Sequence, residues 1–457
     1  MKHVHWSEKI LWLLLSIFAA NSYLLIRYSP WFILPAALAL ASAHLLPGRR
    51  LLTFERLTIC SHGVDLLIVF LISSAVTAAV QSTYVLSLLP ENLKAAVQPE
   101  TILDTLRNRN TWDLVLTLLI CIVVEASVFW HGIFCVYCTS VQMGIRYRLW
   151  GLLCGVIPVV NVIMLLHILR IVRREIRVET AKEQLNESRH DEQICKTRYP
   201  ILMVHGFFFR DSRIINYWGR IPYQLEQNGA QLFYGEHQSA AAVADSAQEI
   251  AWRIENVLRK TGAEKVNIIA HSKGGLDCRY AMDQLGMTPY VASLTTINTP
   301  HRGCLFADNL LNKVSSKVQE RVALIYNSLY KRLGDHQPDF LAAARDLTAT
   351  GCQRFEKMPA PEGVFCQSVG SVIEKAKRGK FPLNVTYRYV KRFDGPNDGL
   401  VAESAFAWGE KYTLLTTKSK RGISHGDMMD LNRENLPDFD VREFYVQLVA
   451  DLKRRGL

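Results

Sequence analysis

The chain has 457 residues, too many for one typical core, with 49% hydrophobic residues and a formal net charge of +11. Its long apolar runs fall almost entirely before residue 173, so the positive charge suits an anionic membrane surface better than nucleic acid; zinc-type cysteine spacing, basic repeats and nucleic-acid modules are missing from the sequence. Ten cysteines are scattered, five on each side of residue 190, a usage that leans toward a reducing compartment. Cys135-x-x-Cys138 ends an apolar helix without a thioredoxin-like context, and Cys352 with Cys366 is the one plausible bridge.

Crossing a bilayer takes about 20 mostly apolar residues. The candidate spans are 9–26, 31–47, 64–89, 113–138 and 148–170. The first two flank Arg27-Tyr28-Ser29-Pro30 and read as a hairpin. A cleavable signal peptide is disfavoured, because no small-x-small site follows the first run and more membrane sequence does. Basic clusters lie at Arg49, Arg50 and Arg56, at Arg146 and Arg148, and at Arg170, Arg173, Arg174 and Arg177. The positive-inside rule puts all three in the cytoplasm only if 148–170, with Gly155, Pro158 and Asn161, dips in and returns; five full spans are the alternative. The expected organisation is an all-α transmembrane domain over 1–172 and a charged linker over 173–196. The remainder is then placed on the cytoplasmic side of a bacterial inner membrane. Glu125 and His131 are polar groups at membrane depth, but six residues apart they share no helical face, which favours hydrogen bonds inside the bundle over a joint site.

From residue 197 onward strands alternate with helices. Pro200 to Val204 is a short continuous apolar run, as expected of a strand buried on both faces. Ser246-x-x-Glu249 reads as a capping box opening a helix through Ile250, Ile254, Val257 and Leu258, ended by Gly262. Lys265–Ala270 and Ala292–Ile297 follow as strands, and this alternation predicts an α/β layer architecture with a mostly parallel sheet. Residues 304–361 are helix-rich, with Leu310 to Leu333 and Phe340 to Leu347, and read as a cap inserted over the sheet. Val385 to Val390 alternates like a strand, and a helix closes the chain from Val441 to Lys453.

Ala270-His271-Ser272-Lys273-Gly274 has the form small-x-Ser-x-small directly after a strand and before a helix. A turn that sharp requires small flanking residues and leaves the serine Oγ exposed. A serine hydroxyl needs a histidine base and an acid to orient it, in the chain order Ser, acid, His for this architecture. Asp394 and Asp398 are both placed to be the acid. Among the 13 histidines His425 follows them in a short loop, whereas His237, His301 and His336 precede them. An oxyanion needs backbone N–H donors, one on the residue after the nucleophile, Lys273, and one after an earlier strand, Phe207 in His205-Gly206-Phe207; His205 itself reads as a brace for that loop.

The segments VHGF, AHSKGGLDCRY, INTPHRG, NDGLV and SHGD, in this order, resemble the α/β-hydrolase triacylglycerol lipases of bacteria and their mitochondrial relatives, over roughly residues 197–450. The resemblance implies Ser272 as nucleophile, Asp398 rather than Asp394 as acid, His425 as base, and Phe207 and Lys273 as oxyanion donors. It implies structural roles for Asp277 and Arg279. Asp427 stands where some such lipases place a calcium ligand, without an identifiable partner aspartate, so no cofactor is expected beyond that candidate.

The expected activity is hydrolysis of lipid ester bonds by a membrane-anchored serine hydrolase working through an acyl-enzyme. Two alternatives share the sequence: a lipid acyltransferase using the same triad, and a non-catalytic membrane scaffold that retains the fold. The expected partners are a lipid ester and the bilayer, with no nucleic acid. The run Lys418-Ser419-Lys420-Arg421 just before His425 is a candidate for contact with anionic headgroups.

Overall fold

A computed structural model describes residues 6–34, 55–88, 110–155, 157, 159–207 and 216–457. The chain divides into two compact units, Met1–Glu183 and Gln184–Leu457.

The first unit is helical: α1 (Trp6–Ala20), α2 (Ser22–Tyr28), α3 (Arg56–Leu88), α4 (Asn110–Thr139), α5 (Gly144–Cys154) and α6 (Val160–Ser188), the last running on into the second unit. Among the described residues, two helices are long and apolar enough to cross a bilayer, Arg56–Ser87 and Asp113–Thr139; α1 and α2 together form a third, bent by 64°. Leu119, Ile122, Val123, Trp130 and Phe134 of α4 are exposed, as lipid-facing residues would be. The second expected span falls largely outside the described residues, as does the 90–112 loop. The expected fifth run takes a different form. It is two helices separated at Gly155–Val159, α5 carries Arg146 and Arg148, and α6 turns polar after Ile171, so neither is apolar over a bilayer's width. Glu175 on α6 is fully buried and accepts hydrogen bonds from Arg56, Ser140 and the backbone N–H groups of Val141 and Gln142. A single carboxylate thus ties α3 to the turn after α4. Glu125 and His131 face different neighbours. Glu125 accepts from Ser73 and Ser74 at 2.9 Å, while the His131 ring lies 5.7 Å from that of His62.

The second unit is a six-stranded, wholly parallel sheet with helices on both faces. Its strands are β1 (Ile201–Val204), β2 (Leu232–Tyr234), β3 (Val266–His271), β4 (Val291–Ile297), β5 (Phe365–Ser371) and β6 (Lys411–Leu415), in the order β2-β1-β3-β4-β5-β6. On one face Ile201, Met203, Ile269 and Ile297 pack on α7 (Ile221–Gln227) and the C-terminal helix, α15. On the other, Leu202, Val204, Ile268 and Leu294 pack on α8 (Val243–Thr261) and α9 (Lys273–Gln284). Two apolar layers explain why these strands read as unbroken hydrophobic runs rather than alternating ones. Four helices follow β4: α10 (Leu305–Lys313), α11 (Ser316–Leu333), α12 (Phe340–Asp346) and α13 (Ala349–Glu356). Between β5 and β6 comes α14 (Leu383–Asp394), and α15 (Val441–Arg454) ends the unit.

Several local expectations need correcting. The alternating stretch Val385–Val390 is the middle of α14: Val385 and Tyr389, four apart, share its outer face, and Tyr387 and Val390, three apart, share its buried one. The helix gains i,i+4 partners: the Tyr389 and Phe393 rings are 5.1 Å apart, and Lys391 lies over Tyr387. The helix after β2 starts at Val243, one turn before the expected capping box, because its first N–H is capped from a distance by the Asp346 carboxylate at 2.7 Å. The charged stretch after residue 172, expected to be the last helix running out into a linker, continues α6 through Ser188; past it, Arg189 pairs with Glu443 and Cys195 is buried in the core. Cys352 and Cys366 are both free thiols, buried on separate elements.

Candidate active site

β3 ends at His271 and α9 begins at Lys273, leaving Ser272 alone to make the turn at φ 54° and ψ −128°. A left-handed φ in a non-glycine residue costs on the order of 1–3 kcal/mol and persists only where its surroundings enforce it. Here the Ser272 N–H donates to the Ile297 carbonyl at 2.9 Å, and its own carbonyl accepts from Thr299 Oγ1 at 2.8 Å. The turn also needs bare backbone beside it. A Cβ on Gly206 would sit 2.7 Å from the Ser272 Cβ, and one on Gly274 would run into the His205 carbonyl oxygen.

Asp398 is fully buried in the loop after α14, and His425 stands in the loop after β6. His425 Nδ1 lies 2.6 Å from Asp398 Oδ2, and the His425 N–H donates to the Asp398 carbonyl at 2.9 Å. The other carboxylate oxygen accepts the N–H groups of Leu400 and Val401, both at 2.8 Å, while Asn298 Nδ2 donates to Oδ2 at 2.5 Å. The imidazole of His271, next to Ser272, lies 4.6 Å centroid to centroid from that of His425. The structure thus sets the Asp398–His425 pair beside His271, the neighbour of Ser272, at the carboxyl end of the sheet, where open parallel sheets gather their reactive groups.

Phe207 follows β1 beside Gly206, its ring 5.3 Å from that of Phe340 at the start of α12. The ring nitrogens of His205 face the carbonyl oxygens of Gly206 and His237, each at 3.0 Å, and burial pushes its pKa down to about 4. It braces the loop, stacked on His237 at 3.8 Å. Lys273 was expected to matter through its backbone alone, but its side chain is buried too. Its Nζ donates to Ser246 Oγ and to Asp277 Oδ1, both at 2.8 Å, which fixes the residue next to Ser272. Arg279 donates to the carbonyls of Phe355 and Met358, tying the helix after Ser272 to the end of α13.

Asp394, the other candidate acid, is not at the site: both its oxygens accept the N–H groups that open α10, at Leu305 and Phe306. Asp427 does not fit a calcium ion. Arg421 donates to one oxygen at 2.9 Å, and Ser424 holds the other through N–H and Oγ. A guanidinium supplies the positive charge there, and among the described residues no three His, Cys, Asp or Glu side chains gather for a metal.

Three residues of the site were not found by sequence reasoning. Asn298, at φ 48°, bridges Asp398 and Ser371 Oγ; its only signal is its position at the end of β4. His271 is fully buried, and burial together with the nearby His425 drives its pKa well below the usual histidine value. It serves as an uncharged floor under His425. Tyr217 OH links the two loops, accepting the Gly206 N–H at 3.0 Å and lying 2.7 Å from His271 Nδ1.

No protein-family model matches this chain. A triacylglycerol lipase of Vibrio cholerae is 29% identical over 288 residues, 57% of this chain and 90% of that protein. Another, of Pseudarthrobacter phenanthrenivorans, is 35% identical over 165 residues, 33% of this chain and 51% of its own length. A solved Bacillus licheniformis lipase in mature form aligns at 20% identity and a TM-score of 0.41, over 55% of this chain and 91% of that one. The sheet, the turn at Ser272 and these sequence relatives define the chain as a carboxylic ester hydrolase of the α/β-hydrolase fold. The relatives it matches are triacylglycerol lipases.

Proposed function

We propose that this chain is a membrane-anchored serine lipase or esterase that cleaves ester bonds of acylglycerols or membrane lipids. The observation that carries this reading is the 2.6 Å bond between Asp398 and His425, facing the elbow at which Ser272 alone makes a left-handed turn. Asp398 holds His425 with Nδ1 protonated, so Nε2 is free to take the Ser272 proton as Oγ bonds to the ester carbonyl carbon. The negative charge then moves to the carbonyl oxygen, which the backbone N–H groups of Phe207 and Lys273 stabilise. Collapse breaks the bond to the alcohol oxygen, which leaves with the proton from His425. Water, deprotonated by the same imidazole, attacks the acyl-serine and releases the fatty acid and Ser272.

In this reading residues 1–172 anchor the enzyme, residues 197–457 are the hydrolase domain, and 304–361 cap its site. The clusters Arg146/Arg148 and Arg170–Arg177 favour the cytoplasmic face of a bacterial inner membrane. Anchoring turns substrate capture from a search of the solvent into a search of one surface. The test is the purified full chain in detergent with a soluble p-nitrophenyl ester and a fluorophosphonate probe. Ser272→Ala is expected to abolish labelling and to cut kcat by roughly 10³-fold or more. A variant that retains wild-type turnover refutes the assignment, and product transfer to an added alcohol in preference to water would make the enzyme an acyltransferase.

A further inference from the structure

Residues 375–394 hold seven Lys or Arg and a single acidic residue. They form the chain between β5 and the Asp398 loop. Phe381, immediately before α14, is 81% exposed, and Val385 and Tyr389 continue outward from it at helical spacing. Arg388 and Arg392 fall on the same stripe, while Tyr387 and Val390 turn inward to the core. A second basic segment lies alongside. The Gly422 N–H donates to the Arg378 carbonyl at 3.0 Å and Arg421 Nη1 donates to the same oxygen at 3.1 Å, which joins the segment carrying Lys418 and Lys420 to the segment carrying Lys375 and Lys377. Arg378, Lys380 and Arg421 are neutralised by Glu374, Glu434 and Asp427. Lys375, Lys377, Lys418 and Lys420 are exposed and, among the described residues, have no carboxylate partner.

An exposed aromatic ring inside a field of unpaired lysines is poorly suited to bulk water and well suited to a lipid interface, where the ring enters the acyl boundary and the ammonium groups meet phosphates. The surface also borders the reaction centre. A Cβ on Gly399 would lie 2.9 Å from the Leu383 Cβ, and one on Gly426 would lie 3.6 Å from the Leu383 Cδ1, so the start of α14 rests against the neighbours of both Asp398 and His425. We propose that this surface, centred on Phe381 and flanked by Lys375, Lys377, Lys418 and Lys420, docks onto the anionic headgroups of a bilayer and seats the active-site rim against the membrane. The proposal rests on the reading of the chain as membrane-bound, and it assigns to the hydrolase domain a membrane contact separate from the hydrophobic helices.

The test uses the full chain in lipid nanodiscs, carrying Cys138→Ser and Phe381→Cys with a nitroxide on the new thiol; the Cys138→Ser parent supplies the background. In discs with about 30% phosphatidylglycerol at ~0.1 M salt, the label is expected to become accessible to dissolved oxygen and shielded from an aqueous nickel chelate. It should return to water in phosphatidylcholine discs and at about 0.5 M salt, where screening shortens the reach of the lysines. Replacing Lys375, Lys377, Lys418 and Lys420 by Glu should leave the label aqueous in every disc, with Lys418→Gln and Lys420→Gln together intermediate. Soluble-ester turnover in detergent, within about threefold of the parent, shows that these variants are folded. A label that stays aqueous in anionic discs, or a depth unmoved by charge reversal, overturns the proposal. Absence of ester turnover in the parent would instead defeat the hydrolase reading, and release of the chain from carbonate-washed membranes would defeat the anchoring reading.

Discussion

Asp398 and Asp277 are both fully buried, and each faces a basic side chain, yet the regions around them differ in kind. At the edge formed by the loops after β4, α14 and β6, Asp398 is met by four N–H donors: Asn298, Leu400, Val401 and His425. Each fixes its direction, so the carboxylate has one orientation to offer the imidazole. Behind the elbow, Asp277 meets the Lys273 ammonium group at 2.8 Å and the His237 Nε2 at 3.7 Å; burial outweighs the attraction of Lys273 and lifts its pKa to about 7. The first arrangement orients a reacting group. The second fastens the residue that follows Ser272, at a cost in desolvation.

The sharpest break of this comparison removes the charge that orients the base. Asp398→Asn presents an amide to His425 Nδ1 and favours the wrong tautomer, so kcat should fall by about 10⁴-fold with KM changing little. Asp394→Asn, four residues away, should leave kcat untouched, because its carboxylate caps α10 and does not reach the site. Turnover of a soluble ester by the two variants decides between them. Equal losses would mean that the site geometry described here is not the working one.

That pair also shows how far the sequence could be read. Ser272 and Lys273 are legible as candidates because the turn is local: strand, small residue, serine, small residue, helix. His425 is legible from its order in the chain. The choice between Asp394 and Asp398 is not a local matter, since it depends on α14, whose alternating residues fit two periodicities and read as a strand. Asn298 is invisible for the same reason, being a lone polar residue at a strand end whose partner lies 100 positions away. The helix start at Val243 was misplaced because its cap, Asp346, comes from the inserted helices rather than from the preceding residues.

Behind the elbow the expected effect is on stability and its pH dependence. The folded-state pKa of Asp277 lies near 7, above its usual 3.8, so between about pH 4 and 7 the folded protein keeps a proton that the unfolded chain releases. Its contribution is therefore full at low pH and is lost as pH rises through about 7. Asp277→Asn removes this titration. From pH 5 to 8, wild-type stability should fall by about 2–3 kcal/mol more than that of the variant, read as diverging thermal midpoints. Parallel midpoints would show that Lys273 holds Asp277 ionised throughout, and the two buried aspartates would then differ less than their surroundings suggest.

The smallest effect separates the elbow from the helices that cover it. Asp346 accepts the first N–H of α8 at 2.7 Å and pairs with Arg354 at 2.9 Å, while Asp335 accepts the N–H groups of Ser239 and Ala240, both at 3.1 Å. The inserted helices therefore hold the segment between β2 and α8 by backbone bonds, in addition to the contact of Phe207 with Phe340. Asp346→Ala should cost about 1 kcal/mol, the usual loss for a helix N-cap, and lower the thermal midpoint by a few degrees. Since α8 also supplies Ser246 to the Lys273 ammonium group, loosening its first turn should raise amide exchange at Val243 while leaving fluorophosphonate labelling of Ser272 unchanged. A loss of labelling comparable to that of Asp398→Asn would mean that the inserted helices set the geometry of the reaction centre itself, and that the sheet alone does not.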